Sequence, residues 1–288
     1  MLRKKVFGNR EIAYYLFLLP GLCFFAFAIA VPFLMGINIA FTDWDGLSKT
    51  YHYIGIKNFI DIFKDLRIVQ PVRNTFLFAL LGVGGNTVIS LGLALLVKRK
   101  FKFVTTISRT AFFVPVCFSA ILTAYIWGFI FRVIIPGVMS VKNPLGNTKL
   151  VIICIVAMNL WNTCGINMLI YLSGLKNIPE DLYEAAVIDG SNRLQNFRYI
   201  TLPLLAPTFT ICITSTLTGF MKEFAMTLAS TSGGPAGASR TISIYIYENL
   251  YRYGKAGYGQ AISILFIVVI AILSYALEAF FRRREIDF

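Results

Sequence analysis

Histidine is almost missing from this chain: His52 is the only one in 288 residues. A lone imidazole with no cluster of cysteines or carboxylates around it argues against a metal centre and against a His-dependent catalytic triad. No residue is therefore assigned a catalytic or metal-binding role. Charge is scarce as well. Asp, Glu, Lys and Arg make up 14% of the residues, where an ordinary soluble domain carries about 25%. Acids are the rarer sign, 14 against 27 Lys and Arg, for a formal charge of +13. Such a balance fits nucleic acid, an anionic membrane surface, or basic loops between membrane spans. There is no long basic tract and no basic–aromatic interleaving, so nucleic acid is set aside as a partner. The five cysteines (Cys23, Cys117, Cys154, Cys164 and Cys212) each sit in an apolar run and show no C-x-x-C spacing. They suggest neither a zinc site nor a disulfide framework and read as small buried hydrophobes. A G-x-x-x-x-G-K-[ST] loop is also missing. Gly254-Lys255 lacks both the preceding glycine and a following Ser or Thr, so any ATP hydrolysis has to come from another subunit.

Hydrophobic residues, in contrast, make up 57% of the chain, and the mean hydropathy is +0.70. That excludes disorder and argues against a soluble single-domain enzyme. The apolar residues fall in six runs: Tyr14–Phe41, Thr75–Val97, Ala111–Phe131, Leu150–Leu172, Leu204–Met221 and Ala261–Phe281. Each is close to the ~20 residues a helix needs to cross ~30 Å of hydrocarbon. None has a charge in its middle. Glu278 lies near the end of the last run beside Arg282, Arg283 and Arg284, within reach of the headgroups. Backbone groups cannot stay unpaired in lipid, so the runs are expected to be helices. A β-barrel would need short alternating strands, which the chain does not have. The expected fold class is all-α, a polytopic membrane protein with six transmembrane helices.

The first run has features of a signal peptide. Arg3, Lys4 and Lys5 precede it, and Ala28-Ile29-Ala30 mimics a cleavage site. Its apolar stretch nevertheless continues to Phe41, so it is expected to be an uncleaved anchor. Lys and Arg number 15 in the segments on the side of both termini and 12 in the alternate segments, which are longer. Basic density thus places both termini in the cytoplasm. The expected segments are a cytoplasmic N-terminus (1–13), a first helix (14–41), an external segment (42–74), a core (75–281) and a cytoplasmic C-terminus (282–288).

One cytoplasmic stretch, Asn177–Pro207, reads NIPEDLYEAAVIDGSNRLQNFRYITLPLLAP. Pro179 suits a first helical position, and Glu180 and Asp181 complement the positive end of the helix dipole. Gly190 permits the left-handed conformation that ends a helix. Ser191 can cap the next helix, running through Phe197 and Ile200, and Pro203 breaks the chain before the fifth run. The pattern Glu184-Ala185-Ala186, three residues, Gly190, nine residues, Ile200-x-Leu202-Pro203 resembles, without a gap, the EAA loop of binding-protein-dependent ABC importer permeases. Asp189-Gly190, Ile200-Thr201-Leu202-Pro203 and the number of runs resemble the carbohydrate permeases of the maltose type. Thr231-Ser232-Gly233-Gly234-Pro235, Phe41-Thr42-Asp43-Trp44 and Gly55-Ile56-Lys57-Asn58-Phe59 resemble the first of the two permease subunits in such systems. One departure is Ser191, where the family often has Ala.

The resemblance implies a core bundle of five helices plus an N-terminal helix. It implies that residues 177–203 form a coupling loop on a separate ATPase, with Glu184 in a polar contact, Ala185 and Ala186 allowing close approach, and Gly190 making the turn. It also implies a second permease subunit, two ATPase subunits that bind ATP and Mg, an external solute-binding protein, and a sugar or oligosaccharide as cargo. The chain itself would hold no cofactor.

A sugar path needs hydrogen-bonding groups without strong charge. Asn159, Thr163 and Asn167 share one face of the fourth run, with Asn162 beside them. Thr214 and Thr218, with Thr210, are spaced by four in the fifth, and Asn86 lies in the second with Gly82 and Ser90. Such stripes more often bond helix to helix than touch cargo. Lys222 and Glu223 at an outer end read as snorkelling side chains. The segment Gly233-Gly234-Pro235 reads as a flexible exposed loop suited to a soluble binding protein. Three alternatives stand beside this reading. An importer of the same class for a non-sugar solute would, if its cargo were charged, show a central charged partner, and an ion-coupled carrier predicts acids within the membrane or matched broken helices. A membrane-embedded enzyme would need a polar catalytic cluster, for which His52 alone is a weak start.

Overall fold

A computed structural model of the chain describes residues 9–98, 102–139 and 142–283. Arg99, Lys100 and Arg284, which weigh in the orientation count, lie outside the described residues, as do most of segment 1–13 and of segment 282–288. The described residues are helical, with one isolated bridge between Thr42 and Tyr53 and no strand. Five helices are long and apolar enough to cross a membrane, or six when one bent pair counts as a single span.

The chain divides into two compact units. One holds the described residues up to Lys64 together with Ile246–Ile264, and the other holds Asp65–Tyr245 and the residues from Leu265 onward. This division differs from the expected core of 75–281, because the return segment after Tyr245 clusters with the first helix.

In the first unit, α1 (Tyr14–Ala40) carries apolar side chains that are almost all exposed. A π turn, Ala26–Ala30, sits just before Pro32, whose missing N–H interrupts the α ladder. After α1 the amphipathic α2 (Lys57–Lys64) folds back. The Asn58 Nδ2 donates to the carbonyls of Ala40 at 2.9 Å and Thr42 at 2.8 Å, satisfying groups that the end of α1 leaves open. In the intervening loop the Asp45 carboxylate accepts from the Ser48 hydroxyl and from the backbone N–H groups of Ser48 and Leu47. The Ser48 contact first, then the two amides, hold its pKa down to about 2.

The second unit is built on α3 (Val69–Val97), α4 (Lys102–Phe113), α5 (Ala120–Val138) and α6 (Val151–Asn177). The sides of α3 and α6 pack closely, around Ala94, Met168, Tyr171 and Leu175. Glycines on α6 let two further elements come equally close to it. A Cβ on Gly165 would lie 2.1 Å from the Phe112 carbonyl oxygen, and one on Gly174 would lie 2.2 Å from the Thr208 hydroxyl. Small residues at helix contacts are the usual means of close packing in lipid, where tails and side chains are equally apolar.

The third span is not where its apolar run lies. The run Ala111–Phe131 straddles a break: Pro115 sits in a 3₁₀ turn, Val114–Cys117, and the hydroxyl of Ser119 accepts from the Leu122 N–H at 3.2 Å to start a new helix. Residues on both sides of the break are equally apolar, so hydropathy alone cannot see it. The span therefore continues to Val138 and takes in Arg132, whose guanidinium donates to the carbonyl of Ser230. The chain then runs through α7 (Glu180–Ile188), α8 (Arg193–Leu204) and α9 (Ala206–Met221), with a 68° bend at Leu205 between the last two. Short helices α10 (Ala225–Thr231) and α11 (Ile242–Tyr247) precede the last span, α12 (Ala256–Arg282).

Candidate functional site

The segment 177–203 folds as two helices and a tight turn. Pro179 is the residue before α7, in extended backbone, so Glu180 is the first helical residue, one position later than its expected start. Glu180 and Asp181 occupy the first turn, where negative charge is favoured. At the other end Gly190 has φ +81°. Its N–H reaches the Val187 carbonyl at 3.0 Å, and the Ser191 N–H reaches that of Ala186 at 2.9 Å. This pair of bonds is the Schellman closure, which only a residue free to adopt positive φ completes without strain.

Ser191 is not the next cap. Its hydroxyl donates to the Ala186 carbonyl at 2.6 Å, sealing the helix behind it. The cap of α8 is Asn192, which accepts from the N–H groups of Leu194 at 3.0 Å and Gln195 at 2.9 Å. The Gln195 side chain accepts in return from the Asn192 N–H at 2.7 Å, a capping box. The pair Asn-x-x-Gln was visible in the sequence and outranks a serine one residue earlier.

The motif residues separate into two groups. Glu184, Ala185, Asp189 and Gly190 are exposed, and Ala186 is half-buried. Ile200, Leu202 and Pro203 are half-buried on the bundle side, where Tyr183 and Thr201 join their hydroxyls at 2.9 Å. Three apolar side chains of the same hairpin are exposed as well: Ile188, which the sequence marks as an apolar contact residue, and Leu194 and Tyr199, which it does not single out. Ile188 is 86% exposed, Leu194 74% and Tyr199 71%. Their signal was apolar residues crowded against a polar turn, Val187-Ile188 before Asp189-Gly190. Apolar side chains this exposed on an otherwise polar hairpin suit a contact surface.

Comparison with known proteins reaches the same segment. Residues 86–286 match the family described as binding-protein-dependent transport system inner membrane component. The chain belongs to that family. It is 31% identical over 293 residues to the probable starch degradation products transport system permease protein AmyD of Thermoanaerobacterium thermosulfurigenes, covering 100% of both chains. It is 32% identical to the trehalose/maltose transport system permease protein MalF of Thermococcus litoralis, over 93% of this chain and 94% of the other. A chain in the crystal structure of a bacterial ABC transporter that imports alginate superposes with TM-score 0.83 at 22% identity, over 96% of both chains. This permease-family chain therefore has the importer-permease fold that its EAA-loop resemblance implied.

The polar stripes meet inside the bundle. Asn167 Nδ2 donates to Asn86 Oδ1 at 2.5 Å and to Thr216 Oγ1 at 2.8 Å. Asn86 Nδ2 donates to Thr163 Oγ1 at 2.9 Å, and the Ser90 hydroxyl donates to Asn86 Oδ1 at 3.1 Å. These bonds tie α3, α6 and α9 together. Thr216 was missed because it lies off the Thr210–Thr214–Thr218 stripe. Asn159 is buried and donates to the Ile155 carbonyl of its own helix at 3.1 Å. Asn162 pins the break before α5, donating to the carbonyls of Pro115 at 2.8 Å and Phe118 at 3.1 Å. The Thr218 hydroxyl donates to the Thr214 carbonyl at 2.6 Å, while the buried Thr214 hydroxyl has no protein partner. Replacing Asn86 by Leu strips a partner from both Thr163 and Asn167. It is expected to cost about 1 kcal/mol, read as a lower thermal midpoint in detergent.

Two features expected at the outer face differ from expectation. Glu223 does not snorkel. Its Oε1 accepts from the N–H groups of Met226 at 2.8 Å and Thr227 at 3.0 Å, at the start of α10. Burial pushes its carboxyl above the usual range, against these two bonds. A raised folded-state value means stability is greatest below the unfolded carboxylate range and falls as pH rises through the raised one. Glu223→Gln keeps the acceptor without the charge and is expected to flatten that dependence. Glu223→Ala is expected to lose about 1 kcal/mol of capping, both read from thermal midpoints across pH.

The glycine-rich segment is also not free. Gly233 is buried, and Gly234 and Pro235 are half-buried. The Ser239 hydroxyl donates to the Gly234 carbonyl at 2.6 Å, and Asn74 Nδ2 donates to the carbonyls of Gly237 and Arg240, each at 3.0 Å. Glycine serves geometry here, with φ +83° at Gly233 and +76° at Gly237.

Proposed function

We propose that this chain is one transmembrane half of an ATP-driven sugar or oligosaccharide importer. A related permease subunit forms the other half. Two ATPase subunits, which bind ATP and Mg, dock on the α7–α8 hairpin, and an external binding protein delivers the solute. The observation that carries this reading is the hairpin itself: Glu184 exposed beside Ala185, above a closed turn at Gly190, with Ile188 and Leu194 uncovered. Relatives named for starch products and for trehalose and maltose support the sugar class.

Both termini lie in the cytoplasm on this reading. ATP binding draws the ATPases together and moves the hairpin. Through the Tyr183–Thr201 contact and the bend at Leu205, that motion passes to α9 and shifts the bundle between two discrete arrangements. The mutually bonded residues Asn86 and Asn167 hold the helices in register, with Asn159 buried beside them. The half-buried Asn162, Thr163, Thr214 and Thr218 border the solute path. Gly233, Gly234 and Pro235 shape the outer surface that meets the binding protein. Co-purification from membranes containing all subunits tests the reading. Wild-type chain is expected to retain the ATPase and Glu184→Lys to lose it. A wild-type chain that carries no ATPase under mild detergent would overturn the proposal in favour of an ion-coupled carrier.

A further inference from the structure

Beside α7 the second unit has a widely open pocket of about 350 Å³. Leu95 at the end of α3, Leu175 at the end of α6 and Phe197 supply its apolar lining. Tyr183, Asn196 and Thr201 line it too, with two exposed cations, Lys98 and Arg193. No carboxylate is among the lining residues. The Lys98 ammonium lies 4.8 Å from the centre of the Tyr183 ring, so an aromatic face rather than an acid accompanies it. The Tyr183 and Thr201 hydroxyls are bonded to each other and add polar edges to the lining.

Two cations with no counter-charge in one concavity favour an anion. Arg presents a planar fork that matches phosphate oxygens, and Lys adds a point charge. The apolar lining suits an apolar or neutral remainder of the same ligand. The volume is within the range of small-molecule sites. Basic pockets between membrane helices at a membrane face are also where phospholipid headgroups bind. We infer that this pocket binds a phosphate group, from a lipid headgroup or from free phosphate, between the end of α3 and the α7–α8 hairpin. Such a ligand bridges Lys98 on one element and Arg193 on the other. Its effect on transport rests on the coupling role proposed for α7, whereas the binding itself does not.

Native mass spectrometry of the full chain tests it, because the mass of the adduct separates the two sources. The chain is released from micelles containing equal phosphatidylglycerol and phosphatidylcholine, with and without inorganic phosphate. Wild type is expected to carry one phosphatidylglycerol, or one inorganic phosphate where free phosphate is the ligand. Lys98→Gln with Arg193→Gln is expected to lower that occupancy about tenfold. Arg193→Gln alone is expected to give part of the loss, which keeps the test open if the double variant folds poorly. Arg198→Gln, outside the pocket, is expected to behave as wild type. Absence of either adduct on wild type, or equal occupancy in the pocket variants, would overturn the inference. A wild-type chain that carries the adduct but recovers no ATPase would count against the coupling reading alone.

Discussion

Replacing Ile188 by Asp is expected to cut recovery of the ATPase partner about tenfold or more and to leave the thermal midpoint of the chain unchanged. The side chain is 86% exposed, so the fold has no need of it. An exposed β-branched hydrophobe at the end of a helix gains nothing in water. Placed in a cleft of a partner it becomes a buried anchor, and a carboxylate there would be desolvated without a counter-charge. Glu184 lies one turn earlier on the same helix, and its own substitution probes the polar part of that contact. A further comparison separates the two roles of the segment. Thr201→Val removes the bond to the Tyr183 hydroxyl on the bundle side, 2.9 Å long, without touching the exposed surface. The co-purification that reads Ile188→Asp would refute the docking surface if that variant retained the ATPase as wild type does.

Gly165→Leu is expected to be the most damaging single change in the bundle, by about 3 kcal/mol or more. A Cβ at this position would meet the backbone oxygen of Phe112 at 2.1 Å, and backbone cannot swing aside as a side chain can. Gly82 makes a useful contrast. A Cβ there would meet the ring of Phe220 at 2.0 Å, which a rotation of the ring can relieve in part. Gly84, with nothing within 4 Å, is the control, and Gly84→Leu is expected to change the midpoint little. Unfolding in mixed micelles across the three variants checks the order. Equal shifts at Gly165 and Gly84 would mean that α4 and α6 are not packed as described.

Hydropathy alone located the membrane segments, because lipid forces one solution on any apolar run of that length. It did not locate their ends. At α3 the helix begins at Val69, six residues before the apolar run, since Pro71 suits a first turn and polar residues are tolerated there. At α5 the break at Pro115 and Ser119 is hidden inside continuous hydrophobicity. The family pattern around Glu184 was legible because its spacing is particular, and Gly190 was legible because a turn needs it. Ile188 was legible as an apolar contact residue, but its exposure was not, since a hydrophobe in a helix is ordinarily core. Glu223 was misread for a related reason. A carboxylate beside a membrane end looks like a solvent-seeking group until the helix it caps is seen.

None of the apolar window of α1 is buried inside the fold, against 56% of that of α6. Protein covers α1 only near its end, at Gly36 and Ala40, so the rest of the segment is satisfied by lipid and needs little from the finished protein. Helix α6, with its asparagines, is different. Left among lipid tails without α3 and α9, its Asn167 amide would lose both of its side-chain partners. The bilayer alone therefore accounts for the stability of α1, whereas α6 is at home in lipid only when its neighbouring helices surround it.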